Sequence, residues 1–200
     1  HDFFVYCPNG GFYDYKHDKI CVKKPLSIAC VFCNCDARNY VQKLWRCIRQ
    51  VVQNRVLYQM DDIIFFSISD LSARTFQKYY PKKNNTLCRV DNPVEMLSSL
   101  ERIPVENNEL YLFVARLSLE KGIDLFCEAV SQLGLKGCVL GDGYLLDAYK
   151  KKYPMINFTG WVTGKEKEYY IKTAKAFVFP SKWYETFGLV VAEMQSCGIP

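Results

Sequence analysis

Two stretches in the second half of the chain carry side chains suited to gripping an anion. In ARLSLEKG, Arg116 and Lys121 stand five positions apart. Arginine presents a planar fork of donors and lysine a compact point charge, so together they make a clamp for a diphosphate; without a ligand they are two surface cations. In PSKWYETFGLVVAEMQSCGIP, Glu185 and Glu193 flank an apolar run with seven residues between them. Inside a single helix that separation spans about 12 Å. The two carboxylates therefore converge on one ligand only if Glu185 lies in the loop ahead of a helix and Glu193 within it. ETFGL permits this: Gly188 lets backbone come close to a ligand, and a helix start offers free N–H groups and positive dipole to a phosphate. Glu193, about a turn in, can then accept hydrogen bonds from a ribose diol, while Glu185 points beyond the phosphates. Gly141-Asp142-Gly143 is either a tight turn or a ligand contact, and Gly160 in FTGWV offers backbone to a nucleotide base. The GDG is not a GxGxxG dinucleotide fingerprint, because Tyr144, Leu145 and Leu146 follow it.

Periodic segments from residue 109 onward supply the scaffold. ELYLFVARL is a short continuous apolar run, as expected of a strand buried on both faces. GIDLFCEAVSQLG repeats Ile123, Phe126, Cys127 and Val130 at helical spacing, with Gly134 as its stop. KGCVLGDG, INFTGW and AKAFVFP read as further strands, and YLLDAYKKK and KEKEYYIKTA as further helices. Strands alternating with helices predict a Rossmann-type, doubly wound parallel α/β sheet. Its ligands bind outside the carboxyl ends of the strands, where Arg116, Asp142, Gly160 and Pro180 all fall.

The first hundred residues are less regular. Residues 3–35 read as an aromatic, cysteine-rich loop region. YVQKLWRCIRQVV predicts an amphipathic helix with Val41, Leu44, Trp45, Ile48, Val51 and Val52 on one face and Lys43, Arg46 and Arg49 away from it. Such a helix either packs its apolar face on its own core or lies on an anionic membrane. DIIFFSIS reads as a buried strand, LSARTFQKYY as a helix ended by Pro81, and TLCRVDNPV as an extended crossing. Of ten cysteines, Cys7, Cys21, Cys30, Cys33 and Cys35 crowd the first 35 residues. Cys30-x2-Cys33 has zinc-ligand spacing but lacks a second clean pair, so metal binding and reduced thiols both stay open. Cys127, Cys138 and Cys197 sit in apolar patterns as small core residues.

A net charge of +5, concentrated in residues 1–108, is too slight to argue nucleic acid. No apolar run approaches the ~18–20 residues of a membrane span, and the first residues lack the regions of a secretory signal.

FVARLSLEKGIDLF, VLGDG, FTGWV and FPSKWYETFGLVVAEMQSCGIP, in that order, resemble the donor-binding domain of retaining glycosyltransferases with the GT-B fold, specifically glycosyltransferase family 4. Ala115 stands where that family often has Gly, and Met194-Gln195 replace its commoner Ala-Met. The resemblance implies that Arg116 and Lys121 bind the diphosphate of a nucleotide sugar and that Glu193 holds the ribose. Glu185, with the backbone of Phe187, Gly188 and Leu189, would contact sugar and phosphate. His1, ahead of FFVYCPNGG, resembles the family's histidine that approaches the donor sugar. The cysteine-rich loop and CDARNYVQKLWRCIRQ resemble, more loosely, bacterial members linked to polysaccharide synthesis. The expected organisation is a partial acceptor-side α/β domain over 1–95, a linker over 96–108 and a donor-binding domain over 109–200. That last domain would stop at Pro200 ahead of another strand and a closing helix, and the first would lack its opening half ahead of His1.

The chemistry expected is transfer of a sugar, hexosyltransferase in type, from a nucleotide-diphosphate donor to an acceptor hydroxyl with configuration retained. The family implies neither a divalent metal nor a cofactor. It also implies a lipid-linked or saccharide acceptor, a cytoplasmic location and peripheral contact with the inner face of the membrane. Two alternatives stand beside this reading. One is a non-catalytic nucleotide-binding fragment; the other is an NAD-dependent Rossmann oxidoreductase, which the missing GxGxxG and the paired cations oppose.

Overall fold

The computed structural model describes residues 3–60, 63–79, 86–94 and 104–200. The expectations for His1, Pro81 and most of the 96–108 linker lie outside the described residues. The chain divides into two compact units, His1–Asn92 with Trp183–Phe187, and Pro93–Lys182 with Gly188–Pro200.

In the first unit, a two-residue hairpin (β1, Tyr13–Asp14; β2, Lys19–Ile20) and a single helical turn (α1, Ile28–Val31) punctuate the loop. Phe3, Cys7 and Phe12 form a small core with Tyr6, Leu71 and Tyr79 packed on it. The long helix α2 (Tyr40–Gln59) starts at Asn39, whose side chain accepts a hydrogen bond from the Gln42 amide. β3 (Ile64–Ser67), α3 (Asp70–Tyr79) and β4 (Thr86–Arg89) follow. β4 is a correction to the sequence reading: TLCRVDNPV is not simply a crossing, since Thr86–Arg89 pair in parallel with β3, Phe65 opposite Leu87.

α2 carries its apolar stripe as expected but turns it the other way. Val41, Trp45, Ile48, Val51 and Val52 are exposed, whereas Lys43, Cys47 and Gln50 are buried. The loop that α2 packs against decides the orientation, because it presents carbonyls and a buried carboxylate that need donors. Arg46 pairs with the fully buried Asp36 at 3.0 Å. Gln50 Nε2 donates to the Val5 carbonyl at 2.6 Å, and Arg49 lies over the Phe4 ring at 4.9 Å. Lys43 Nζ reaches Cys30 Sγ at 3.5 Å. Lys43, Arg46 and Arg49, and not the apolar stripe, are therefore the residues of α2 that meet the N-terminal loop. Among the described residues no group of three or more His, Cys, Asp or Glu is placed to hold a metal ion, and no helix is long and apolar enough to cross a membrane.

The second unit follows the sequence pattern closely. β5 (Leu110–Val114), α4 (Ile123–Gln132), β6 (Lys136–Leu140), α5 (Leu146–Lys152), β7 (Asn157–Gly160), α6 (Gly164–Lys172), β8 (Ala174–Phe177) and α7 (Leu189–Ser196) alternate along the chain. The four strands are parallel in the order β7-β6-β5-β8. Alternate residues feed two cores. Leu112, Cys138 and Leu140 pack with Ile171, Met194 and Cys197 on one face, and Phe113 and Val139 pack with Ile123, Phe126, Cys127 and Val130 on the other. Burial pushes the Cys127 and Cys138 thiols up to about 12, so both stay protonated and act as small apolar groups.

The loops at the carboxyl ends of these strands are tied backbone to backbone. A Cβ on Gly122 (φ 73°) would lie 2.1 Å from the Pro180 carbonyl oxygen, and the Lys182 amide donates to the Glu120 carbonyl at 2.9 Å. A Cβ on Gly141 (φ 143°) would lie 1.9 Å from the Ala115 carbonyl oxygen, and one on Gly143 2.4 Å from that of Leu117.

Two stability predictions follow from these contacts. Arg46→Met strands the buried Asp36 carboxylate and should cost about 3 kcal/mol or more, whereas Ile48→Ser on the outward stripe should change stability by less than about 0.5 kcal/mol. A conventional core-facing stripe would reverse that order in urea unfolding. Gly141→Ala should cost about 3 kcal/mol or more, through both the clash and the left-handed backbone, read in the same experiment.

Candidate functional site

The strand order marks a candidate site. The chain builds outward from β5 to β6 and β7, then returns to the other side of β5 as β8, so the order reverses between β5 and β8. A doubly wound sheet opens a crevice at such a reversal, outside the carboxyl ends of the two strands. The loop leaving β5 carries Arg116 and Lys121, and the segment leaving β8 leads to α7.

Arg116 is 63% exposed and pairs through Nη2 with Glu120 Oε1 at 2.8 Å, where Glu120 is only 3% exposed. The buried carboxylate thus orients the guanidinium from below and leaves its remaining donors to face outward. Lys121 lies in the short 3-10 turn Leu119–Lys121 that ends at Gly122. Lys182 Nζ meets Asp124 Oδ2 at 2.7 Å, adding a side-chain tie to the backbone contact between the two loops.

The GDG segment has a packing explanation. Gly141 and Gly143 are the points at which the β6 loop passes against Ala115 and Leu117, the Leu117 amide donates to the Asp142 carbonyl at 2.9 Å, and Asp142 Oδ1 accepts from the Gly143 amide at 2.7 Å. Gly160 ends β7 with φ 78° and open space around its Cα, and its carbonyl accepts from the Gly141 amide at 2.8 Å. The loops after β5, β6 and β7 are in this way hydrogen-bonded in series.

α7 begins at Gly188, in left-handed backbone (φ 80°) and with no side-chain cap. Its first amides therefore lack the intrahelical acceptors that later turns have, which is the condition for binding an anion. Leu189 is exposed at this end and Glu193 lies one turn further in. The Glu193 side chain is 18% exposed, and its Oε1 forms an ion pair with Lys167 of α6 at 2.5 Å.

Glu185 and Phe187 belong to the first unit, and Arg116, Lys121, Gly160, Gly188, Leu189 and Glu193 to the second. Within the first unit, Trp183 Nε1 donates to Glu185 Oε1 at 2.6 Å, and the Trp183 ring lies 3.0 Å from where a Cβ on Gly11 would sit. Glu120, Lys167, Trp183 and Lys182 escaped the sequence reading. Lys167 and Lys182 act through partners that only folding brings near, whereas Trp183 and Glu120 stand two and four residues from theirs in sequence.

Residues 100–200 match the family model of glycosyl transferases group 1. No curated protein matches the chain. Among solved structures, HepE of Anabaena in complex with UDP-glucose is 17% identical, with a TM-score of 0.58 over 75% of this chain and 46% of that one. The lipopolysaccharide outer core galactosyltransferase WaaB is 21% identical, with a TM-score of 0.55 over 70% and 42%. A TarM variant of S. aureus, in complex with fondaparinux, alpha-GlcNAc-glycerol and UDP, is 17% identical, with a TM-score of 0.55 over 68% and 28%. At these identities the likeness is one of fold, and the fold is GT-B. The chain spans less than half the length of each of these proteins. With half of its residues matched by one family model and a parallel sheet of the same fold, the chain belongs to the group 1 glycosyl transferases.

Proposed function

We propose that the chain is part of a retaining glycosyltransferase of family 4 that moves a sugar from a nucleotide-diphosphate sugar to an acceptor hydroxyl, in polysaccharide or glycolipid synthesis. The observation that carries this reading is the meeting, at the reversal of strand order, of the Arg116–Lys121 loop with the segment that leads to the uncapped start of α7. The structural neighbours TarM and HepE, in complex with UDP and UDP-glucose respectively, support a nucleotide sugar as donor.

In the reaction, the bond from the anomeric carbon to the diphosphate breaks and its electron pair leaves with the phosphate oxygen. The acceptor oxygen bonds to the same carbon on the same face, and its proton passes to the departing diphosphate. Arg116, Lys121 and the α7 amides stabilise the charge that grows on the diphosphate, where such stabilisation is worth most. Each charge-assisted hydrogen bond contributes about 1.5–3 kcal/mol, so losing both cations should nearly abolish transfer. Glu193 accepts from the ribose. Gly160 lines the base side. Glu185, the backbone of Phe187, Gly188 and Leu189, and His1 take their roles on sugar and phosphate from the family motif. Donor and side chains supply this chemistry without a cofactor or metal.

The donor-binding domain of this reading is 109–200 and the acceptor-side domain is 1–95, joined by a linker over 96–108. The acceptor is a lipid-linked or saccharide hydroxyl met at the inner membrane face, because such donors are made in the cytosol. The binding-only alternative has one observation in its favour, the coverage of less than half of each neighbour. On that alternative the chain alone binds nucleotide and the longer protein performs transfer.

Thermal unfolding with UDP, GDP, ADP and NAD, beside Arg116→Ala/Lys121→Ala, tests the donor site. A diphosphate at 100 times its dissociation constant should add about 2.7 kcal/mol, and the double variant should lose that gain. Stabilisation by NAD alone would contradict the reading.

A further inference from the structure

Beside Glu193 stands a charged group to which the proposed reaction gives no role. Lys167 sits on α6, and its ammonium reaches across to Glu193 Oε1 on α7 at 2.5 Å, 26 residues away in sequence. Both partners are mostly buried, with side-chain exposures of 25% and 18%. A pair so placed is neither a screened surface bridge nor a sealed interior one.

Resting on the reading of Glu193 as the ribose acceptor, we propose that Lys167 is a positioning residue for nucleotide recognition. By holding Oε1, it fixes the carboxylate in one rotamer and leaves Oε2 to accept from the ribose hydroxyls. Chemically the division is natural. An ionised carboxylate has about four lone-pair sites on two oxygens, and an ammonium has three donors and no acceptor. Lys167 can therefore engage one oxygen, keep the group charged and still not compete for the hydroxyl protons. A glutamate has three rotatable side-chain bonds, and ordering them on binding weakens affinity. With Lys167 in place that ordering is complete before the ligand arrives. The pair also ties α6 to α7, so α7 is held to the sheet's second layer at the same residue that reads the sugar of the nucleotide.

The bland alternative is a staple that stabilises the helix pair and nothing more. The two differ in one readout, discrimination between ribose and 2'-deoxyribose, which a staple does not influence. The full chain is titrated with whichever of UDP, GDP or ADP stabilises it most, and with the 2'-deoxy form of that nucleotide, in wild type, Glu193→Gln, Lys167→Met and Lys167→Arg. A hydrogen bond to a charged acceptor corresponds to about tenfold or more in affinity. The wild type should prefer the ribonucleotide by about that factor. Glu193→Gln and Lys167→Met should both reduce the preference to about twofold, and Lys167→Arg should restore most of it. If Lys167→Met lowers the melting temperature but keeps the wild-type preference, Lys167 is only a staple and the proposal is overturned while the role of Glu193 stands. If the wild type binds without preferring ribose, or binds none of the three, the role of Glu193 itself falls and the proposal with it. Should Lys167→Met fail to melt cooperatively, Lys167→Gln, which keeps a donor but loses the charge, takes its place and is expected to show the same loss of preference.

Discussion

A methyl group on residue 122 would lie 2.1 Å from the carbonyl oxygen of Pro180, so the loops leaving β5 and β8 meet with no side chain between them. Everything at the candidate site hangs on that approach. The left-handed backbone at Gly122 both closes the turn that carries Lys121 and opens α4, and the same contact sets where the chain leaves β8 on its way to α7. Gly141 repeats the device one strand over, against Ala115. The loops leaving β5, β6 and β8 thus hold one another backbone to backbone and are not free to drift.

The charges around it are arranged in pairs. Arg116 has Glu120 beneath it, Lys182 has Asp124 and Lys167 has Glu193. In each pair one partner is largely buried, so the carboxylate fixes the cation, or the cation the carboxylate, in a defined place. An arginine with five donors loses only one of them to Glu120, and a forked group already oriented is a better ligand for a diphosphate than a mobile one. On the proposed reading the site is a set of donors fixed before a ligand arrives, and not a patch of uncompensated positive charge. The modest net charge of +5 for the whole chain accords with that design.

The parallel sheet was legible because each of its signals is local. β5 is an unbroken apolar run and β6 is one after Lys136, α4 repeats Ile123, Phe126, Cys127 and Val130 at helical spacing, and Gly134 and Gly188 mark a helix end and a helix start. The placement of Glu185 ahead of α7 and Glu193 within it was legible for the same reason. What escaped depends on tertiary neighbours. The apolar stripe of α2 was read correctly, but its direction was decided by Asp36 and the carbonyls of the N-terminal loop, which demand Arg46 and Gln50. Thr86–Arg89 gave a strand only because β3 was there to pair with it. Lys182 and Asp124 are 58 residues apart, and no spacing rule links them.

The claim at the centre of this account is that a diphosphate binds at the carboxyl ends of β5 and β8, on the α7 helix start. Backbone amide NMR of the full chain, titrated with UDP, GDP and ADP in turn, tests it directly. The account predicts that one of these ligands shifts the amides of Gly188, Leu189 and Val190 together with those between Arg116 and Gly122, and leaves Gly134 and Leu135 at the opposite end of the sheet unmoved. Shifts confined to α2 or to the amino ends of the strands, or none with any of the three, would contradict it.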